Sequence, residues 1–133
     1  MSRCHRIKYQ GEWKAREVIP VIRHTTLIAG VCASDPFRSI PLFLQDLKSL
    51  GFVGIQNFPT VGLIDVNSVF RANLEETGMG YECEVQLARE AKRQGLLTTM
   101  YVFNEDEARR MAEAGAEVIV GPVSYFQHSR LHD

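Results

Sequence analysis

The residues best suited to chemistry crowd into one stretch, Gly54 to Tyr81, GIQNFPTVGLIDVNSVFRANLEETGMGY. There Asp65, Arg71, Asn73, Glu75 and Glu76 lie among Gly62, Gly78 and Gly80. A guanidinium such as that of Arg71 matches the two-pronged oxyanions of carboxylates and phosphates. Glu75 and Glu76 are adjacent, so both cannot face inward. One is placed to move a proton as general acid or base while the other is solvated or caps the loop. The stretch keeps to neither a helical nor a strand period for more than twenty residues. Irregular segments of that length inside a compact domain are uncommon and tend to carry function.

The segments around this stretch read as scaffold. EWKAREVIPVIR, Glu12 to Arg23, spaces Ala15, Val18, Ile19 and Ile22 as one helical face, with Pro20 disturbing its last turn. TLIAGVCA, Thr26 to Ala33, is apolar without alternation, the pattern of a strand covered on both faces. A helix follows from about Ser39 to Leu50, with Ser39 as cap, Pro41 in the first turn and Gly51 as stop. VGIQNFP, Val53 to Pro59, is the next strand and leads into the long loop. After the loop come a helix over Tyr81 to Gln94, a strand over Leu96 to Val102, a helix capped by Asn104 with Glu107 in a capping-box position, and a strand over Glu117 to Val123.

Strands alternating with helices imply right-handed crossovers and a parallel sheet, an α/β fold. Four βα steps make half of a (β/α)8 barrel, which usually takes about 250 residues. A small doubly wound sheet satisfies the same string, although neither GxGxxG nor GxxxxGK[ST] occurs.

Composition narrows the partners. With 133 residues, 45% hydrophobic and 23% charged, the chain is an ordinary single globular domain spanning residues 1–133. Fifteen basic against sixteen acidic residues give a net charge of −1, which argues against a nucleic-acid backbone as partner. No apolar run is long enough to span a bilayer, and MSRCHRIKYQ lacks a signal-peptide core, so the cytosol is the expected compartment. Cys4, Cys32 and Cys83 are odd in number and far apart, and His5, His24, His128 and His132 show no HExxH spacing. Neither a disulfide framework nor a zinc site follows from them.

In a barrel the functional groups stand in the loops after the strands. That rule nominates Ser34, Asp35 and Arg38 after the first strand, Asn57 and the Asp65 to Glu76 loop after the second, and Tyr101 and Asn104 after the third. Asp35 and Arg38, three apart, suit either an ion pair that anchors the helix start or a guanidinium aimed at an anion. Asn104 reads first as a cap, and Cys32 as a small hydrophobe at a strand end.

AGVCASDPFR (Ala29 to Arg38), QNFPTVGLIDVNSVFRANLEETGMG (Gln56 to Gly80) and LLTTMYVFNEDEARRMAEAGAEVIV (Leu96 to Val120) carry a resemblance. They are similar to the phosphoenolpyruvate hydrolase-like family, also called TIM-barrel signal-transduction proteins, one member of which is a domain of a plant tobamovirus-resistance protein. The likeness covers residues 12–120, whereas 121–133, GPVSYFQHSRLHD, departs from the family pattern, as does DVNSVF at Asp65 to Phe70. The resemblance implies a partial TIM barrel, holding about four parallel strands with outer helices. A half barrel leaves two strand edges unpaired and one wall open, so a homo-oligomer or a partner domain is expected to cover it.

The resemblance also implies binding or hydrolysis of a small phosphorylated or carboxylated metabolite. In that reading Glu75, Glu76 and Asp35 are the catalytic candidates, and Arg38, Asn57, Asp65, Arg71, Asn73 and Tyr101 the substrate-binding ones. Mg²⁺ would be held by Asp35, Asp65 or Glu75, since hard cations take oxygen ligands. Two other readings stand beside this one: a non-catalytic binding or regulatory barrel, and an incomplete copy that keeps the family's motifs without its activity.

Overall fold

Four short parallel strands and four α-helices, two of the helices in succession between the second and third strands, follow one another in the computed structural model, which describes Glu17 and residues 19–122. They are β1 (Ile28–Gly30), α1 (Ile40–Ser49), β2 (Gly54–Gln56), α2 (Val69–Glu76), α3 (Tyr81–Arg93), β3 (Leu97–Tyr101), α4 (Glu105–Glu113) and β4 (Val118–Val120). The sheet order is β1-β2-β3-β4, with every neighbouring pair parallel. Right-handed crossovers that always step in the same direction place α1, α3 and α4 on one face of the sheet, while α2 lies within the connection from β2 to α3. A doubly wound sheet needs a reversal of strand order, and none occurs, so the half-barrel alternative is the one realised.

Pairing sets the two faces of the sheet. Ala29, Ile55 and Thr98 lie at one level and Met100 and Ile119 at another, all directed toward the helices. Against them pack Leu44 and Leu47 of α1, Tyr81, Val85, Leu87, Ala88 and Ala91 of α3, and Met111 of α4, forming a single core. The opposite face carries Ile28, Gly30, Gln56, Leu97, Thr99, Tyr101, Val118 and Val120, and the residues on its two edge strands are exposed or half-buried. At Gly54 an added Cβ would stand 2.6 Å from the Leu97 carbonyl oxygen, so β2 and β3 meet this closely only around a glycine. Among the described residues no helix is long and apolar enough to cross a membrane.

Several expected boundaries shift. The helix read over Glu12 to Arg23 falls largely outside the described residues, and within them Ile19–Val21 is a 3-10 turn containing Pro20. The strands are shorter than their apolar runs because pairing stops where the chain turns into the rim. Ser39 stands at the N-cap of α1 without a side-chain cap bond. Gly51 and Gly95 do end their helices, at φ 100° and 80°.

The largest correction concerns the supposed irregular loop. It contains a 3-10 turn, Val61–Leu63, and the whole of α2. Ser68 Oγ caps α2 by accepting the Arg71 N–H, while Ser68 itself donates its N–H and O–H to the Asp65 carbonyl. The helical period hid because α2 is inverted. Val69 and Phe70 are 77% and 61% exposed, whereas Arg71 is the buried residue at 5%.

Candidate functional site

Three constructions form at the ends of the strands. After β1, the Asp35 carboxylate accepts the Phe37 N–H at 2.9 Å and pairs with Arg38 Nε at 3.2 Å. The Arg38 guanidinium lies 3.9 Å above the Phe43 ring on the first turn of α1, a cation–π contact that fixes its plane. Among the described residues nothing else accepts from its two Nη groups.

After β2, the Asn57 side chain extends the sheet. Its Oδ1 accepts the Tyr101 N–H at 2.7 Å, and its Nδ2 donates to the Tyr101 carbonyl at 3.2 Å and to Glu84 Oε1 at 2.6 Å. The Tyr101 carbonyl also accepts the Tyr81 hydroxyl at 2.6 Å. Glu84, on the first turn of α3, accepts further from the Thr60 hydroxyl at 2.5 Å and from the Val61 N–H at 3.0 Å. Burial pushes the Glu84 carboxyl above the usual carboxylate range, outweighing those hydrogen bonds, which favour the ionised form. Burial also raises the Tyr81 phenol, helped by the negative charge of Glu107 and Glu84.

The third construction centres on Arg71. Nε donates to Glu75 Oε1 at 3.0 Å, Nη1 to the Val61 and Ile64 carbonyls at 2.9 and 3.1 Å, and Nη2 to Glu107 Oε2 at 3.3 Å. Four of its five N–H groups are thereby used. Burial works against its charge, and the bonds to Glu75 and Glu107 overcome this and hold the guanidinium above its ordinary value. Glu75 Oε1 also accepts the Tyr81 N–H at 3.2 Å, which places the carboxylate on the N-terminus of α3. For Glu75 too, burial alone would raise the carboxyl, but Arg71 and the Tyr81 N–H bring it below its usual range. Glu107 Oε1 accepts the Phe103 N–H at 3.0 Å, while Asn104 Oδ1 accepts the Glu107 N–H at 2.8 Å. The expected capping box is therefore half realised: the Asn104 cap forms, and the Glu107 carboxylate reaches Phe103 and Arg71 instead of the cap's own N–H. An open groove of about 530 Å³ runs between α2 and the start of α4, with Arg71 and Glu107 among its lining residues.

The structure thus pairs Asp35 with Arg38, Asn57 with Tyr101, and Arg71 with Glu75; Tyr81 and Val61 join the last two pairs, and among the described residues no hydrogen bond joins Asp35 or Arg38 to them. Asp65 serves a turn, its Oδ1 accepting the Asn67 N–H at 2.9 Å. Asn73 and Glu76 are exposed on α2, away from these contacts. The oxygen ligands expected for Mg²⁺ do not converge: among the described residues no three His, Cys, Asp or Glu side chains gather to hold an ion. Sequence reasoning missed Glu84 and Glu107 as buried carboxylates. For Glu84 a signal existed, because Tyr81, Glu84, Ala88 and Ala91 follow a 3-4-3 spacing that puts a carboxylate on an otherwise apolar stripe. Glu107 likewise shares a face with Met111.

A sequential parallel sheet with helices on one face and polar loops at the strand ends defines a partial (β/α)8 barrel. Comparison with known proteins agrees: the family described as phosphoenolpyruvate hydrolase-like matches residues 12–130, and the chain belongs to it. It is 60% identical over 106 residues to the ToMV resistance protein Tm-1(GCR237) of Solanum lycopersicum, and equally to the ToMV susceptible protein tm-1(GCR26) of the same plant. These alignments cover 80% of this chain and 14% of each tomato protein. A putative transcriptional regulatory protein, y4pA, of Sinorhizobium fredii is 34% identical over 77% of this chain and 16% of its own length. The chain therefore spans a small part of the relatives it matches.

Proposed function

We propose that this chain is a metabolite-binding barrel segment that grips a small phosphorylated or carboxylated anion at the β1 end of the rim and does not turn it over by itself. The observation that carries this reading is the state of Arg38. Asp35 and Phe43 hold the guanidinium in place, and among the described residues no side chain or carbonyl accepts from its two Nη groups. A pre-oriented fork of that kind suits a carboxylate or phosphate and loses little side-chain entropy on binding. Arg71, the other candidate, has four donors committed to the protein. The proton-moving candidates Glu75 and Asp35 are likewise tied to arginines and backbone N–H groups, which favours binding over hydrolysis. The family's description supplies the substrate class, an anion of the phosphoenolpyruvate kind.

The test is calorimetric titration of the protein with phosphoenolpyruvate, with and without Mg²⁺, alongside an assay for released phosphate. Binding without phosphate release is expected. Arg38→Ala should weaken it about 10- to 150-fold, the equivalent of about 1.5–3 kcal/mol for charged hydrogen bonds. Glu75→Gln should leave it unchanged. No heat at any concentration sinks the reading, and phosphate release abolished by Glu75→Gln replaces it with hydrolysis.

A further inference from the structure

We propose that Glu84 is a buried proton switch: ionised, it holds the turn from Thr60 to Leu63 closed, and protonated, it releases that turn. Glu84 is 3% exposed, and among the described residues its carboxylate meets only donors. Oε1 accepts the Asn57 amide and the Thr60 hydroxyl, and Oε2 accepts the Val61 N–H. The Thr60 hydroxyl is committed in both directions, because its oxygen also accepts the Gly62 N–H at 3.0 Å. Thr60 is the N-cap of the 3-10 turn and Val61 its first residue, so two of the three donors to Glu84 belong to that turn.

A proton on this carboxyl finds no ready acceptor among those partners. An amide NH2 and a backbone N–H cannot accept, and the Thr60 oxygen does so only if its own hydrogen turns away from Glu84. The closed turn therefore requires the charged form, whereas burial favours the neutral one and lifts the carboxyl above its usual range. Glu107 of α4 adds to the lift, since its negative charge opposes a second one nearby. From α2, Arg71 faces the group across the Val61 peptide, with its charge already met by Glu75 and Glu107. Tyr81 and Cys83 on the same helix feel the Glu84 charge and are themselves pushed upward, chiefly by burial, so both stay neutral in acid; Arg110 lies beyond the Tyr81 ring. The change passes on through one peptide unit. Val61 gives its N–H to Glu84, and its carbonyl accepts Arg71 Nη1 at 2.9 Å. Losing the first bond loosens the anchor of α2, while Asn57 keeps both bonds to Tyr101 and the sheet holds. Acid thus frees the loop after β2, on the rim where a barrel carries its functional groups.

The test is an NMR titration of the full 133-residue protein from neutral to acid pH, following the Glu84 carboxyl carbon and the amides of Val61 and Gly62. One step at a shared midpoint, above the ordinary 4.5 of a glutamate, is expected. On its acid side the protection of the Val61 amide against exchange should fall roughly tenfold, as loss of a hydrogen bond to a charged group allows. Glu84→Gln, a side chain fixed in the neutral state, should abolish the step and hold the Val61 amide at its acid position throughout. Thr60→Val takes a donor from the ionised form and should raise the midpoint by about one to two pH units. Glu107→Gln should lower it, so the two opposite shifts decide the matter even if Glu84→Gln fails to fold. Val61 and Gly62 amides that stay still while Glu84 titrates, or that move at a different pH, overturn the proposal. So does a Glu84 carboxyl that keeps one state over the whole folded range, or a midpoint that neither Thr60→Val nor Glu107→Gln displaces.

Discussion

Replacing Arg71 by methionine tests whether the rim's densest cluster is scaffold or ligand site. The change keeps much of the aliphatic stem and removes a guanidinium that serves Glu75, Glu107 and two carbonyls. Glu75 can take up water, because its side chain is 43% exposed. Glu107 cannot: its side chain is 3% exposed, and it would keep only the Phe103 N–H. Removing one member of a buried pair and leaving the other charged costs about 3–5 kcal/mol. Against a domain stability of about 5–15 kcal/mol, that is a large share of the total. With a urea dependence of about 1–3 kcal/mol per molar, the unfolding midpoint should fall by roughly 1–5 M at one fixed protein concentration. Adding Glu107→Gln removes the orphaned charge and should recover part of the loss, so the two changes are far from additive. The reasoning is refuted if Arg71→Met costs less than about 1 kcal/mol, or if the second substitution only adds to the damage.

Tyr81→Phe removes the hydroxyl bonded to the Tyr101 carbonyl, which retains Asn57 as a donor, so denaturant titration should show a loss of about 0.5–1.5 kcal/mol. Gly80→Ala drives a Cβ into the Glu75 carboxylate although the backbone φ of −87° suits alanine. It should cost about 1–3 kcal/mol, and clearly less in a Glu75→Ala background where the obstacle is gone. Glu84 gives a pH prediction. Its folded carboxyl lies above the ordinary 4.5, chiefly because of burial, so the folded chain binds this proton more tightly than the unfolded one. Its contribution is full below the unfolded value and is lost as pH rises through the raised folded value. As pH rises above the unfolded value and until the folded carboxyl has ionised, the stability of Glu84→Gln should therefore improve relative to wild type. A constant difference across that range would show that burial is not setting the Glu84 proton affinity.

Residues acting through local rules were legible in the chain before any coordinates. The apolar runs, the Asn104 cap and the stops at Gly51 and Gly95 fixed the order of strands and helices, because period and caps depend on neighbours a turn away. The motifs through Gln56–Gly80 and Leu96–Val120 fixed the family on the same local ground. α2 stayed hidden because its buried side chain is Arg71, whereas the large apolar residues a search for periodicity sees, Val69, Phe70 and Leu74, are exposed or half-buried.

Tertiary structure alone decided the rest. That β1 to β4 add in one direction depends on pairings between segments up to some forty residues apart, which no local pattern encodes. That Arg71 spends its donors on Val61, Ile64, Glu75 and Glu107, while Arg38 spends only Nε on Asp35 among the described residues, also required the fold. A charged side chain's role is set by which acceptors surround it and how much water remains, and both are properties of the packed molecule.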